Sequence, residues 1–261
     1  MRRVGLRKVL LVVSGVLGLL IMSGCGKSGE QSSKAPAETS TPGLTADASN
    51  GATVTGKVSF SGKKPVVRSI DMSANPACEK AHPAPVASEE VVVNGNGTLA
   101  NAFVWVKEGV PAGKWTVTSK AAVVDQQGCM YTPHVSGVMA GQTVEFLNSD
   151  ETNHNIHPLP SQNQEWNESQ PPKGSPKSKS FDKEEIMIPV KCNIHPWMRA
   201  YIGVVRHPFF AVTGNDGTFS IAGLPPGKYT LEAWHERYGK KTVEVTVAAK
   251  DSKSVDFTFG S

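Results

Sequence analysis

Lys191-Cys192-Asn193-Ile194-His195-Pro196-Trp197-Met198 places a thiol, an imidazole and a thioether at the spacing Cys-x2-His-x2-Met. Upstream, Gly141-Gln142-Thr143-Val144-Glu145-Phe146-Leu147-Asn148-Ser149-Asp150 runs into Asn153-His154-Asn155-Ile156-His157. These side chains together suit a metal that shuttles between two oxidation states. A thiolate and two imidazoles in a trigonal plane, with a weak axial thioether, are tolerable to both Cu(I) and Cu(II), so little reorganises when the electron moves. Cysteine at a strand end with His and Met on the following tight loop delivers Cys192, His195 and Met198 from one short stretch. The remaining ligand must come from a neighbouring strand, where His154 is expected.

Other chemistries fit less well. Tetrahedral zinc could use Cys192, His154, His195 and His157, but Met198 would then go unexplained. A c-type haem needs Cys-x-x-Cys-His, and a binuclear copper centre needs a second cysteine where Asn193 and Ile194 stand. A Cys–His nucleophile would need an oxyanion site and an orienting base, for which there is no signal, so an enzyme is not expected. A buried structural cysteine at Cys192 leaves the adjacent His and Met as coincidence. His157 reads as a loop or core histidine rather than a ligand.

The two motifs, in this order and context, resemble the cupredoxin family, and the loop spacing is that of the amicyanins. The resemblance spans roughly residues 120 to 206. It implies one type 1 copper held by His154, Cys192, His195 and Met198, with Asn155 hydrogen-bonded near the thiolate. It also implies that His195 emerges through an apolar surface patch rimmed by Pro196 and Trp197, the electron route to a transient redox protein partner. Electron transfer is the expected role. A copper-binding or copper-delivery lipoprotein without redox role is one alternative, and a non-metal adhesion or carbohydrate-binding module another.

The elements that must position these residues read as an all-β chain. Thr53 to Phe60, Glu90 to Val93, Ala102 to Val106, Thr143 to Leu147, Glu185 to Val190, Tyr201 to Val205, Thr218 to Ile221, Tyr229 to Trp234, Thr242 to Val247 and Ser254 to Phe259 are short. They are rich in Val, Phe, Tyr or Thr, and bounded by turn residues. No segment sustains a 3.6-residue apolar period, so a sandwich or barrel is expected. Pro158 to Ser180 carries no structural signal and could flank the metal. The copper portion is also short enough that residues before 112 could lend it a strand.

In the C-terminal part, Asn215-Asp216-Gly217 supplies a hairpin turn and Leu224-Pro225-Pro226-Gly227 turns the chain again. With Val54 to Val58 and Ala102 to Val106, this resembles the carboxypeptidase regulatory-like, transthyretin-like sandwich. In that family the Asp-Gly hairpin follows shortly after the second of those strands, whereas here about a hundred residues intervene. The expected arrangement is a sandwich from 53–112 plus 207–261, with a cupredoxin-type Greek-key sandwich, 113–206, inserted in it. Two tandem β-domains divided near His207 are the alternative.

The N-terminus carries its own signals. Arg2, Arg3, Arg7 and Lys8 precede an apolar run from Val9 to Met22, too short for a comfortable span, as in an export signal over residues 1–24. Met22-Ser23-Gly24-Cys25 resembles a bacterial lipobox, which implies lipid on Cys25 and a membrane anchor. Gly26 after the cysteine goes, in that resemblance, with an outer-membrane site facing the periplasm. Residues 25–52, poor in apolar side chains, read as a flexible tether with a reach of roughly 25 to 30 Å.

The chain has 27 basic and 23 acidic side chains, but the signal holds four of the basic ones and none of the acidic, leaving a mature chain near neutrality. Nucleic acid is therefore not an expected partner. Of the four cysteines, Cys25 for lipid and Cys192 for metal leave Cys78 and Cys129 to pair in an oxidising compartment. Cys78 and Cys129 with His82 and His134 as a second metal site is the alternative.

Overall fold

Ala52–Ser61 shows why the alternating stretches become strands. Ala52, Val54, Gly56 and Val58 point inward while Lys57 faces solvent, so one face of the pleat is buried. The computed structural model describes residues 43–47 and 49–260. Among these residues the chain forms seventeen strands and one helix, Pro76–Lys80.

Two of the four sheets combine strands from both ends of the described chain. Ala52–Ser61 pairs antiparallel with Thr218–Leu224 and parallel with Ser252–Ser254 and Phe257–Gly260. The second sheet runs Phe210–Val212, Phe103–Glu108, Gly227–His235, Gly239–Val247. Val54, Val58, Val104, Val106, Phe219, Leu231 and Phe257 share one buried core. The expected Asp-Gly turn is present: Gly217 has φ +68°, and Asp216 Oδ1 accepts from Thr218 N at 2.9 Å.

The strands between residues 122 and 205 form the other two sheets. One runs Val135–Met139, Arg199–Val205, Glu185–Lys191, His154–Pro158, Glu168–Gln170, and the other Met130–Thr132, Ala122–Gln127, Val144–Asn148, Lys177–Lys179. Val124, Phe146, Ile156, Ile188 and Ile202 meet in their common core.

The two cores touch through Phe103, Trp105, Val135, Met187 and Val205. Contact this close requires glycine. A Cβ on Gly137 would lie 2.4 Å from the Phe210 ring, and one on Gly203 would lie 2.7 Å from the Phe103 ring.

Several expectations change. Glu90 to Val93 is not a strand; Val93 makes a single bridge to Leu99. Pro158 to Ser180 holds two three-residue strands, Glu168–Gln170 and Lys177–Lys179. Residues before 112 lend no strand to the two sheets formed between residues 122 and 205 among the described residues. They contribute the helix Pro76–Lys80, whose Cys78 enters that core. The folded part also starts earlier than the tether's expected end, because Leu44 exchanges backbone bonds with Lys114 O and Thr116 N at 2.8 and 2.7 Å. The export signal, Cys25 and the rest of the tether lie outside the described residues. No helix among those described is long and apolar enough to cross a membrane.

Candidate metal centre

Antiparallel register brings the two motifs to one end of one sheet. Lys191 stands opposite both Arg199 and His157, so Cys192 leaves the strand end beside the start of His154–Pro158. The loop from Cys192 to Met198 folds back on itself. Cys192 N donates to Met198 O at 3.2 Å, and Met198 N to His195 O at 3.0 Å. This closure turns Cys192, His195 and Met198 inward, at 3, 1 and 0 % exposure, and His154 joins them at 0 %.

The donor atoms converge. His154 Nδ1 lies 2.9 Å from His195 Nδ1, which lies 3.7 Å from Cys192 Sγ. These three residues offer ligand atoms within 4.8 Å of one another, and Met198 is packed into the same buried cluster as Cys192.

Outer contacts fix the donors' orientation. Asp150 Oδ2 sits 2.9 Å from His154 Nε2, which leaves Nδ1 for a metal. Asp150 in turn accepts from Gly128 N at 2.6 Å and Cys129 N at 2.7 Å. Cys192 Sγ accepts from Asn155 N at 3.3 Å. Asn155 thus contacts the sulfur through its backbone, while its side chain donates to Asn167 Oδ1 at 3.2 Å. Tyr131 is buried behind the site and donates to Asn155 O and Lys191 O.

The electrostatics follow from these contacts. Burial disfavours charged His154, yet hydrogen bonds to Asp150 and Cys192, with their negative charges, raise its pKa above the usual value. Burial would raise the Cys192 thiol, but the bond to His154 and backbone amides outweigh it and hold the pKa below the ordinary thiol value. Burial, then the neighbouring His154 charge, drops His195 to about 4. In the metal-free cluster these contacts bias Cys192 toward the thiolate and keep His195 neutral.

Other expected site residues separate. His195 does not emerge at the surface, contrary to the expectation of an exposed electron-transfer edge. Asn75 Nδ2 at 2.7 Å and Cys78 Sγ at 3.5 Å cover its Nε2. Pro196 is exposed and Trp197 half-buried, its indole donating to Cys129 O at 3.0 Å. Cys78 and Cys129 form a disulfide, so their sulfurs are not free thiolates for a second metal. His82 bonds Gly128 O, and His134 lies between Arg199 O and Glu236. His157 contacts Asn193 and Glu165 rather than the cluster.

Sequence reasoning missed two contributors. Asp150 stands four residues before His154, in a stretch already singled out, and only its contact reveals its role. Asn75 precedes Pro76, an N-cap followed by proline at the first helical turn, and that signal was available for the short helix.

Residues 200–260 match the family model of the carboxypeptidase regulatory-like domain. No curated protein matches the chain. Among solved structures, a copper-containing nitrite reductase from Thermus scotoductus SA-01 is 23 % identical with a TM-score of 0.31, over 37 % of this chain and 25 % of that one. This chain thus spans about a quarter of that enzyme's length. A purple cupredoxin from Nitrosopumilus maritimus is 21 % identical with a TM-score of 0.28, over 32 % of this chain and 98 % of that one. A proline-to-glycine mutant of amicyanin in its reduced Cu(I) form is 28 % identical with a TM-score of 0.29, over 34 % of this chain and 85 % of that one.

Proposed function

We propose that this chain is an exported, lipid-anchored protein that holds one type 1 copper ion and passes single electrons in the cell envelope. The observation that carries the reading is the convergence of His154 Nδ1, His195 Nδ1 and Cys192 Sγ in a place closed to solvent. The donor set fits copper: two imidazoles and a thiolate meet, and the soft thioether of Met198 is buried in the same core. Bound there, copper supplies a one-electron couple between its two oxidation states.

The chain's own residues prepare that couple. Asp150 orients His154 and leaves Nδ1 free, while the Asn155 amide holds the sulfur. The short hydrogen-bonded loop restrains Cys192, His195 and Met198 to one arrangement, which keeps reorganisation small. A transient redox partner meets the exposed loop residues Asn193, Ile194 and Pro196, beside the rim formed by Trp197. Lipid on Cys25 and the tether confine this encounter to a membrane surface, an outer membrane facing the periplasm, and raise local concentration. The two sheets shared by the chain's ends support an insertion of the copper-binding sandwich into the regulatory-like one.

Loading purified protein with copper is expected to give the intense visible absorption of a copper–thiolate bond, lost in Cys192→Ser. A colourless, copper-free product after loading sinks this reading. Repeated reduction and reoxidation without metal loss marks a carrier, and release on reduction marks delivery. Mass spectrometry of the same preparation, made from the full precursor, is expected to find lipid on Cys25.

A further inference from the structure

His195 is held on both sides of its ring. Nδ1 faces the metal centre, while Nε2 lies 2.7 Å from Asn75 Nδ2 and 3.5 Å from Cys78 Sγ. These two residues belong to a segment outside the sheets that carry the ligands.

The orientation of Asn75 is determined by its other contacts. Its Oδ1 accepts from Ala77 N at 3.2 Å and Cys78 N at 3.3 Å, as the N-cap of the helix Pro76–Lys80. An inverted amide would lose both bonds, so the nitrogen faces the ring and donates to Nε2, which places the proton of the neutral, metal-free ring on Nδ1.

The helix is itself clamped. Cys78 is bonded to Cys129, and His82 Nε2 lies 2.6 Å from Gly128 O. Met72 is buried in the core of the metal portion, with Ile70 and Val86 packed against it. The Gly128 and Cys129 amides bind Asp150, the carboxylate on His154, and Cys129 O accepts the Trp197 indole. One clamp therefore reaches both histidines of the centre.

We propose that Asn75, carried on the disulfide-clamped segment from Ile70 to Val86, is a positioning residue for His195. In the metal-free chain it closes the outer edge of the ring, fixes the ring's plane and holds the ring's proton on Nδ1. The proposal rests on the reading of His195 as a copper ligand. It departs from the expectation that this ring is the bare contact to a redox partner, and it makes the segment from Ile70 to Val86 part of the centre.

Two variants test this in the full chain. Asn75→Ser keeps a side-chain oxygen for the helix cap but is too short to reach the ring. Asn75→Asp keeps the cap and places a carboxylate against Nε2. In metal-free protein, diethyl pyrocarbonate labelling read peptide by peptide is expected to show His195 protected in the parent and labelled severalfold faster in Asn75→Ser. His157 serves as an unchanged internal reference. In copper-loaded protein the ring's proton sits on Nε2, where the Asn75→Asp carboxylate supplies an acceptor that Asn75 Nδ2 does not. Asn75→Asp is expected to lower the reduction potential, since a carboxylate on the imidazole strengthens its donation to the oxidised metal.

Equal His195 labelling in Asn75→Ser and the parent, or an unchanged potential in Asn75→Asp, overturns the proposal. The labelling needs no metal. A chain that fails to bind copper but shows the labelling difference retains the enclosure of His195 while losing the copper reading.

Discussion

Asp150 connects the candidate metal centre to its support through three donors: Gly128 N, Cys129 N and the His154 ring. Burial would raise its carboxyl, but the His154 hydrogen bond and the two amides outweigh that and keep it ionised, below the ordinary carboxylate value. A carboxylate on a ligand imidazole fixes the tautomer and makes the metal-facing nitrogen more basic. Asp150→Asn is expected to weaken Cu(II) binding about 10- to 100-fold and raise the reduction potential. Competition titration and voltammetry read these two effects, and Cu(II) affinity equal to the parent's would refute the role. At this scale the ligand candidates were legible because the site's chemistry dictates residue type and spacing. Asp150 and Asn75 were not, because an acid near a histidine, or an asparagine before a proline, gains meaning only from what packs against it.

Strands with one buried face announce themselves, and those with polar duties do not. Ala52–Ser61, Glu185–Lys191 and Gly227–His235 alternate against a core and were read within a few residues. Lys177–Lys179 is a three-residue edge strand of polar side chains, which carry no periodicity. Ala122–Gln127 puts Gln126 fully inside, where it donates to Leu147 O and Gln170, so its inward face does not look apolar.

The long connection after His157 is organised by one acid. Glu185 accepts from the amides of Ser161, Gln162 and Asn163 and from the Asn163 side chain. Burial opposes ionisation, but these donors outweigh it and hold Glu185 at about 2. A carboxylate whose folded value is depressed stabilises the fold above its unfolded value and loses that effect as pH falls through the folded value. Glu185→Gln is expected to cost on the order of 1 kcal/mol at neutral pH, allowing for solvent screening. Denaturant titrations should show the gap closing between about pH 4.5 and about pH 2. A gap constant across that window would show that the charge contributes nothing.

At the scale of the whole molecule, the question is how two sandwiches remain one object. Their sheets meet where glycine replaces side chain: Gly203 sits in Arg199–Val205, the strand that leaves the metal loop, and faces the fully buried Phe103. No spacing in the sequence announces this, since a glycine inside a strand pattern signals close approach without naming the partner. Phe103 cannot simply yield, because it also packs on Trp105 and Phe210, with ring centroids at 5.4 and 5.8 Å. Gly203→Ala is therefore expected to destabilise the chain by about 1–3 kcal/mol through overpacking. Phe103→Leu opens space at the same point, so the double variant is expected to be more stable than the sum of the two single losses predicts. Additive losses in denaturant unfolding would mean that the contact is not the cause. Five residues of extended strand separate Gly203 from Met198, roughly 17 Å, so copper-loaded Gly203→Ala should keep the parent's visible spectrum while unfolding earlier. A changed spectrum would instead make the junction part of the metal centre's support, coupling the regulatory-like sandwich to the copper loop through a single strand.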